Sequence, residues 1–272
     1  WHLWKQLAGP RLTLILEIHD LWKAYDEVQA LRGLNLEVKR GEIFGLIGPN
    51  GAGKTTSLKI IVGLLSMDKG IIKVDGRNIT EEPYEYKRLI GYVPESVALP
   101  EYLTLEEFLI YSGKIREIPN DQIKEKMNFF LKFFELEDKR KSLILSLSRG
   151  MKQKAAMAAA LLHDPALLIL DEPLVGIDPV GQHRIKELFS ERVKEGKTVF
   201  ISTHMLDTAE RMCDRVAVIH KGRRIASGDL SSLRRISEEG GNATLEEVFL
   251  KLTEEKIEEE RGSFSSNPRR QM

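Results

Sequence analysis

Short apolar segments separated by turn residues run along much of the chain and predict buried strands. The nearly continuous apolar runs at 43–47, 167–170 and 198–201 are typical of strands covered on both faces. At 34–38 apolar residues alternate with polar ones, which indicates a strand with one buried face. Further apolar stretches bounded by turn residues predict strands at 14–18, 71–74, 88–93, 216–219 and 223–226, of which the last two form a hairpin.

Capping residues predict where several helices begin. The pattern Ser/Thr-x-x-Glu, in which the two side chains cap each other's backbone, occurs at Thr104–Glu107 and at Thr244–Glu247. Asn120 and Ser148 can cap two further helices. Because three of these four starts lie between about 99 and 164, we expect a helical insertion inside an α/β domain.

Composition and charge narrow the possible classes of protein. The 272 residues suffice for one large domain, and 41 Lys+Arg balance 41 Asp+Glu to a net charge of +0. A balanced chain gives no electrostatic reason to expect nucleic acid as a partner. The apolar stretch at 155–170 is interrupted by His163, Asp164 and Pro165 and is too short to span a bilayer. The single Cys213 cannot form an internal disulfide, which fits a reducing compartment.

One glycine-rich segment carries specific chemistry. It follows the apolar strand at 43–47 and reads Gly48, Pro49, Asn50, Gly51, Ala52, Gly53, Lys54, Thr55 and Thr56. This is the phosphate-binding P-loop (Walker A) pattern G-x-x-x-x-G-K-[ST], whose glycines aim backbone N–H groups at phosphate oxygens beside a helix N-terminus. Lys54 is expected to reach the β- and γ-phosphates, and the Thr55 hydroxyl is expected to ligate Mg²⁺. The segment therefore predicts a site for a nucleoside triphosphate.

Two carboxylates complete the predicted site. Asp171 and Glu172 directly follow the buried strand at 167–170, where a second magnesium anchor is expected beside a P-loop. We expect Asp171 to hold the metal through water and Glu172 to polarise the attacking water as general base. An ordinary acidic pair at a strand end is the alternative, and the P-loop favours the metal site.

Further motifs appear in an order that is specific to one family. Residues 147–151 read Leu-Ser-Arg-Gly-Met, similar to the signature Leu-Ser-Gly-Gly-Gln that marks no other P-loop class. Residues 176–179 resemble a D-loop, residues 202–204 a switch-histidine segment, and residues 92–95 occupy the place of a Q-loop. Tyr25 matches an aromatic residue that stacks on adenine. Over about residues 14–228 the chain thus resembles the ATP-binding subunit of an ABC transporter.

The resemblance implies an α/β fold, a P-loop NTPase with a RecA-like core. To this core the family adds an N-terminal antiparallel β-subdomain and the inserted α-helical subdomain at about 99–164. We expect an N-terminal extension at 1–13, the ATP-binding domain at 14–228, a C-terminal helical segment at 229–253 and a flexible tail at 254–272.

The resemblance also implies that two ATP molecules are sandwiched between two such domains. The helix that Ser148 caps, together with Arg149 and Gly150, would contact the γ-phosphate held by the second domain. Asp178 of the D-loop belongs to the same set of nucleotide contacts. His204 would hydrogen-bond the γ-phosphate and sense its loss, and would act in catalysis with Lys54 and Glu172. Tyr25 as a surface aromatic residue and His204 as a structural histidine are the plainer alternatives.

Two places depart from the family pattern. Arg149 and Met151 stand where Gly and Gln are commoner. Arg149 either contacts phosphate or acidic groups on the opposite domain, or it is solvated. Glu95 stands in place of Gln. A carboxylate about 4 Å from a phosphate oxygen meets a repulsion of about 4 kcal/mol at an effective dielectric constant of 20. Glu95 must therefore bind Mg²⁺, face a cation or swing away, and our hypothesis is that it coordinates Mg²⁺.

The function expected from these features is a transport ATPase on the cytoplasmic face of the membrane. The Pro94-Glu95 variant and the signature resemble the subgroup that pairs with ABC-2-type exporter permeases, so we expect export through a separate permease. That permease would dock near 95–111, where Tyr102 is expected to be the one exposed apolar side chain. The second ATP-binding domain is another copy of this chain or a sister chain. The alternative function is a soluble ABC ATPase acting on ribosomes or nucleic acid, which a single domain without heptads fits poorly.

Overall fold

The computed structural model describes residues 14–236 and 244–251. The strands β1 to β10 span Leu14–Tyr25, Val28–Lys39, Ile43–Ile47, Lys69–Val74, Arg77–Asn78, Ile90–Val93, Leu167–Asp171, Thr198–Thr203, Arg215–His220 and Arg223–Asp229. The α-helices α1 to α9 of these residues span Lys54–Ile61, Glu85–Arg88, Leu105–Ile115, Asn120–Phe133, Arg149–Leu161, Pro179–Lys194, Leu206–Met212, Leu230–Ile236 and 245–251.

A six-stranded sheet forms the centre of the fold, in the order β10-β9-β3-β8-β7-β6. All neighbours are parallel except β10, which pairs with β9 as the predicted hairpin. Successive residues of each inner strand enter opposite cores, so that Leu168 of β7 lies in one apolar cluster and Ile169 in the other. Burial on both faces explains why these strands read as continuous apolar runs.

A second, antiparallel sheet has the order β2-β1-β4-β5 and covers one face of the first. Helix α1 contacts β2 on one side and β7 and β8 on the other, and it buries Leu58 and Ile61 completely. The helix that follows the P-loop is therefore held between two sheets. Together with α3, α4 and α5, which are inserted between β6 and β7, this arrangement confirms the predicted α/β fold with its two additions.

The inserted helices begin largely where the capping residues predicted. The Glu107 backbone N–H donates to Thr104 Oγ1 at 3.2 Å, and the Thr104 N–H donates to Glu107 Oε2 at 2.8 Å, which completes the capping box of α3. Ser148 caps α5 by accepting the Met151 N–H at 3.3 Å. Thr244 and Glu247 form the same reciprocal pair at the start of α9.

Asn120 was wrongly predicted to be a helix cap. Helix α4 begins at Asn120 itself, with Pro119 in the N-cap position and no side-chain capping bond. The Pro119 carbonyl already accepts the Ile123 N–H at 2.9 Å. Proline suits this place because its extended backbone matches the N-cap conformation, so the helix starts one residue earlier than the Asn side chain suggested.

The start of the predicted strand at 88–93 was also wrong. Arg88 closes the short helix α2, and β6 begins at Ile90. The Leu89 N–H donates to the Tyr86 carbonyl at 3.0 Å, so the helical turn extends past Arg88. Tyr86 is 1% exposed, and its burial holds this turn in place of an extended segment.

The expected N-terminal extension at 1–13 and tail at 254–272 fall outside the described residues. Within the part that is described, no helix is both long and apolar enough to cross a membrane.

The capping box of α3 yields a stability prediction. Replacing Thr104 by Ala removes the acceptor of the Glu107 N–H, so we expect the free energy of unfolding to fall by about 1 kcal/mol. Thr104→Ser keeps the hydroxyl and serves as the matched control. Urea denaturation followed by circular dichroism measures both variants, and equal midpoints for the Ala and Ser variants would contradict the assignment.

Candidate nucleotide-binding site

The P-loop borders an open cleft at the carboxyl end of β3. The cleft has a volume of about 480 Å³ and is lined by Ala30, Pro49, Asn50, Gly51, Ala52, Gly53, Lys54, Thr55, Thr56, Glu95 and Glu172. Gly53 has a φ of 108°, and a Cβ atom there would lie 2.7 Å from the Ala30 carbonyl oxygen. Only glycine fits this turn, which brings the loop against β2 and starts α1 at Lys54.

Lys54 is the buried cation of the cleft. Its Nζ donates to the Gly48 carbonyl at 2.7 Å and to the Pro49 carbonyl at 3.2 Å. Burial lowers the pKa of Lys54, and the nearby carboxylates of Glu172, Asp171 and Glu95 oppose that shift. The charge of Lys54 therefore interacts with three carboxylates that are distant from it in the sequence.

Asp171 ends strand β7 and is 1% exposed. The register of β7 and β8 places Ser202 opposite Asp171, and the Ser202 hydroxyl donates to Asp171 Oδ1. The other oxygen, Oδ2, is buried and has no hydrogen-bond partner in the described structure. A buried carboxylate oxygen without a partner is costly, and a hydrated cation or water in the cleft would satisfy it.

Glu172 lies one residue further and adopts a left-handed backbone with a φ of 48°. Its Oε2 accepts the Thr203 hydroxyl at 2.9 Å. Its Oε1 accepts the His204 backbone N–H at 2.9 Å and contacts His204 Nδ1 at 2.7 Å. Left-handed conformations of non-glycine residues are uncommon and cluster at functional sites. The structure thus brings Glu172 into contact with His204, which lies 32 residues further along the chain and is also expected to act in catalysis.

Sequence reasoning gave no role to the two hydroxyl residues that bind these carboxylates. Ser202 and Thr203 end β8 and donate to Asp171 and Glu172, respectively. The strand order could have identified them, because β7 and β8 are neighbours whose carboxyl ends meet at the same edge. The sequence shows that they precede His204, but it does not show that β8 pairs with β7, and that pairing is what places them beside the carboxylates.

Glu95 follows strand β6 and lines the cleft with an exposed side chain. Its charge opposes the lowering of the Lys54 pKa that burial causes. The arrangement of Glu95 beside a phosphate stays a prediction. No group of three or more His, Cys, Asp or Glu side chains suited to a metal occurs in residues 14–236 and 244–251.

Tyr25 does not line the cleft. It ends β1, its side chain is 44% exposed, and Lys23 Nζ lies 5.9 Å from the centroid of its ring. The strand that pairs with it, β2, contributes Ala30 to the lining. Stacking of Tyr25 on adenine stays a prediction.

The signature residues and Asp178 also lie outside the cleft lining. A Cβ atom on Gly150 would lie 2.6 Å from the Gly176 carbonyl oxygen, so the start of α5 packs directly on the D-loop of the same chain. The aliphatic part of Arg149 lies over Gly176. Asp178 accepts the Gly181 N–H at 2.9 Å to cap α6, and it pairs with Lys154 at 3.6 Å. These contacts join the signature helix and the D-loop into one unit.

A second, more apolar cleft lies between the core and the inserted helices. It has a volume of about 400 Å³, and its lining includes Tyr92, Pro94, Val97, Ala98, Leu99, Phe108, Ile115 and Ala156. Beside it, Tyr102 is 84% exposed as predicted, but Tyr111 is 54% exposed, so the expectation for Tyr102 alone was wrong. Two residues turn a helix by about 200°. Tyr111 therefore points away from the face of α3 that Leu109 buries.

Comparisons with known proteins agree with this geometry. The sequence profile of the family described as ABC transporter matches residues 31–175. The Nod factor export ATP-binding protein I of Ralstonia nicotianae is 37% identical over 227 residues, which cover 83% of this chain and 71% of that protein. The ABC-type transporter ATP-binding protein EcsA of Bacillus subtilis is 37% identical over 243 residues, which cover 89% of this chain and 97% of EcsA.

Solved structures give the same result. A structure described as an ATP-binding subunit of an ABC transporter superposes with a TM-score of 0.83 at 37% identity, covering 88% of this chain and 99% of that one. CbiO1 from Clostridium perfringens, part of the transporter complex cbiONQ, superposes with a TM-score of 0.70 at 30% identity, covering 84% and 96% of the two chains. With a P-loop, paired carboxylates and a signature helix in this arrangement, the chain belongs to the ABC transporter family and is an ATP-binding subunit that hydrolyses ATP to power transport.

Proposed function

We propose that ATP binds in the P-loop cleft as its magnesium complex and is hydrolysed with Glu172 as general base. The observation that carries this proposal is the convergence of Lys54, Asp171, Glu172 and His204 at the carboxyl ends of β3, β7 and β8. Carboxyl ends of parallel strands are where α/β folds bind ligands. The polar lining of the cleft suits a triphosphate better than an apolar ligand.

The P-loop and Lys54 would hold the phosphates. Lys54 Nζ now donates to two P-loop carbonyl oxygens, and the β- and γ-phosphate oxygens would take over these hydrogen bonds. The N-terminus of α1 adds the positive end of its dipole beneath the phosphates. Burial of α1 between the two sheets keeps this end of the helix in place.

Thr55, Glu95 and Asp171 fit the ligand set of a magnesium ion. Mg²⁺ prefers oxygen ligands and usually keeps several waters beside one or two carboxylates and the substrate's phosphates. The unpartnered Oδ2 of Asp171 would accept a hydrogen bond from such a water. The ion would supply charge neutralisation at the β- and γ-phosphate oxygens.

Glu172 needs a change of partner before it can accept a proton. Its Oε1 is occupied by the backbone N–H and the ring of His204. The His204 side chain is 48% exposed, so its ring is free to turn toward a γ-phosphate in the cleft. We propose that this turn releases Glu172 Oε1 for the attacking water once ATP is bound.

A second ATP-binding domain would complete each site. Ser148, Arg149, Gly150 and Asp178 do not line this chain's own cleft, although they match nucleotide contacts of the family. In a two-fold sandwich each chain's signature helix would face the ATP of the other. A homodimer is the simplest form of the dimer because this chain carries both halves of the site. The alternative is a heterodimer with a sister chain.

The transport partner would be a membrane permease that docks in the apolar cleft between core and inserted helices. The relatives are named for export and for ABC-type transport, and CbiO1 is part of a transporter complex. We propose that transport runs in the direction of export and that this ATP-binding subunit lies on the cytoplasmic face of the membrane. Tyr102 and Tyr111, which are both exposed and lie in the segment at 95–111, would offer further aromatic contacts.

Dimerisation gives the first test. Glu172→Gln removes the base but keeps the P-loop, so we expect ATP hydrolysis to fall by about 100-fold or more and ATP to hold the protein as a dimer. Light scattering coupled to gel filtration measures the mass with and without ATP and Mg²⁺. Adding Ser148→Arg to Glu172→Gln should restore the monomer. A monomer of Glu172→Gln under saturating ATP would contradict the sandwich.

Glu95 gives the second test. A neutral amide binds Mg²⁺ less strongly than a carboxylate, so Glu95→Gln should raise the Mg²⁺ concentration that supports half-maximal hydrolysis. Steady-state ATPase rates across a Mg²⁺ titration measure this change. Glu125→Gln, on the exposed face of α4, is the matched control. An unchanged rate and Mg²⁺ requirement in Glu95→Gln would remove Glu95 from the metal site.

The permease gives the third test. The Glu172→Gln protein with ATP and Mg²⁺ should capture a polytopic membrane protein from solubilised native membranes, as identified by mass spectrometry. Ala98→Arg places a charge in the apolar cleft and should abolish this capture while ATP binding persists. Tyr84→Arg, at a 78% exposed residue outside that lining, should capture normally. Ribosomal or DNA-associated partners without a membrane protein would refute the transporter assignment.

A further inference from the structure

The end of strand β1 that carries Tyr25 extends past one of its two neighbouring strands. β1 pairs with β2 as far as Tyr25 itself, whereas its pairing with β4 ends where Trp22 lies opposite Lys69, the first residue of β4. The register with β2 also shifts between Lys23 and Ala24. Backbone groups of residues 23–25 on the β4 side therefore need partners other than a strand.

Asp68, the residue just before β4, supplies such partners. Its backbone N–H donates to the Trp22 carbonyl at 3.0 Å. Its Oδ2 accepts the Ala24 N–H at 2.7 Å, and its Oδ1 accepts a hydrogen bond from Lys23 Nζ at 2.8 Å. The bonds from Lys23 and Ala24 lower the pKa of Asp68, so the carboxylate is charged at neutral pH. One side chain thus replaces the missing strand and also holds a cation.

The same contacts reach the ring of Tyr25. Lys23 Nζ, which Asp68 holds, lies 5.9 Å from the centroid of that ring, a distance at which a cation is attracted to an aromatic face. The Lys23 side chain is largely buried, whereas Tyr25 is exposed. Ala24, whose N–H Asp68 accepts, is the residue that precedes Tyr25. Asp68 therefore restrains Tyr25 through the preceding residue and through the ammonium group near its ring.

Asp68 also belongs to the segment that leads out of α1. The N–H groups of Leu64 and Leu65 donate to the Lys59 carbonyl of α1 at 2.8 and 3.2 Å, so the chain stays tied to this helix beyond its last turn. Met67 packs, partly buried, against the apolar cluster that covers α1. The residue that holds the end of β1 is therefore anchored to the helix that follows the P-loop.

We propose that Asp68 is a positioning residue for Tyr25. By tying the end of β1 to the segment after α1, it holds the ring at a fixed place relative to the P-loop, where the base of a bound nucleotide stacks on it. A platform that is already ordered loses less conformational entropy when the ligand binds. Loss of Asp68 should therefore weaken the contact with the base and leave the contacts with the phosphates unchanged.

Paired binding measurements on the full chain test this inference, which rests on the proposed ATP site and on stacking by Tyr25. ADP carries the base but lacks the γ-phosphate, and inorganic pyrophosphate offers two phosphates without a base. Titration calorimetry with Mg²⁺ gives the Kd of each. Asp68→Ala should raise the Kd for ADP by about fivefold and change that for pyrophosphate by less than about twofold. A merely structural role would not separate the two ligands.

Further variants show whether Asp68 acts through the ring. Tyr25→Ala should raise the Kd for ADP by about tenfold, and adding Asp68→Ala to it should have little further effect. Asp68→Asn keeps an acceptor for the Ala24 N–H but removes the charge. It should give a smaller rise and also serves if Asp68→Ala does not fold. Glu82→Ala removes an exposed ion pair with Arg77 in the same sheet and should leave both Kd values unchanged.

The possible failures are distinguishable. If Asp68→Ala binds ADP like the wild type while Tyr25→Ala binds it weakly, the positioning role fails and stacking by Tyr25 stands. Normal ADP binding by Tyr25→Ala would overturn both. Equal losses of ADP and pyrophosphate affinity in Asp68→Ala, or a full additional loss in the double variant, would overturn positioning of the ring. A wild type that binds neither ligand would refute the proposed nucleotide site itself.

Discussion

The parallel pairing of β8 with both β3 and β7 is the contact on which the site depends. It places the P-loop, the carboxylates at the end of β7 and the hydroxyl residues at the end of β8 along one edge of the sheet. Every hydrogen bond between Asp171 or Glu172 and the end of β8 follows from this register. Because the inner strands are buried on both faces, a one-residue shift in register would move each side chain into the opposite core and misalign the strand ends. The core thus fixes the geometry of the polar edge.

Much of this arrangement could be predicted from the sequence, for a physical reason. Local signals such as the capping box at Thr104, the P-loop at Lys54 and the buried strand before Asp171 depend on neighbouring residues alone. The failures were of two kinds. At Asn120 two residues competed for one capping position, and Pro119 won because its ring already fixes the required backbone. At Ser202 and Thr203 the partners are distant in sequence, so only the folded chain reveals them.

Glu172, the proposed general base, is restrained by ordinary hydrogen bonds. Its two oxygens already accept bonds from Thr203 and His204, and its backbone is held in a left-handed conformation. Such a carboxylate is well oriented but has little capacity left for a water molecule. Turning of the His204 ring toward a bound γ-phosphate would return part of that capacity to Glu172.

The packing of Gly150 on Gly176 has a consequence for cooperativity. The D-loop begins only a few residues after Glu172 and is joined to the signature helix by this contact and by the Lys154–Asp178 pair. In a sandwich dimer, α5 would face the second ATP. Through these contacts α5 is joined to the end of β7, next to Glu172, the proposed base for the first ATP. Two nucleotides bound by such a pair of chains would not act as independent ligands. Occupancy of one site would alter the free energy of nucleotide binding at the other, through a path of a few packed residues.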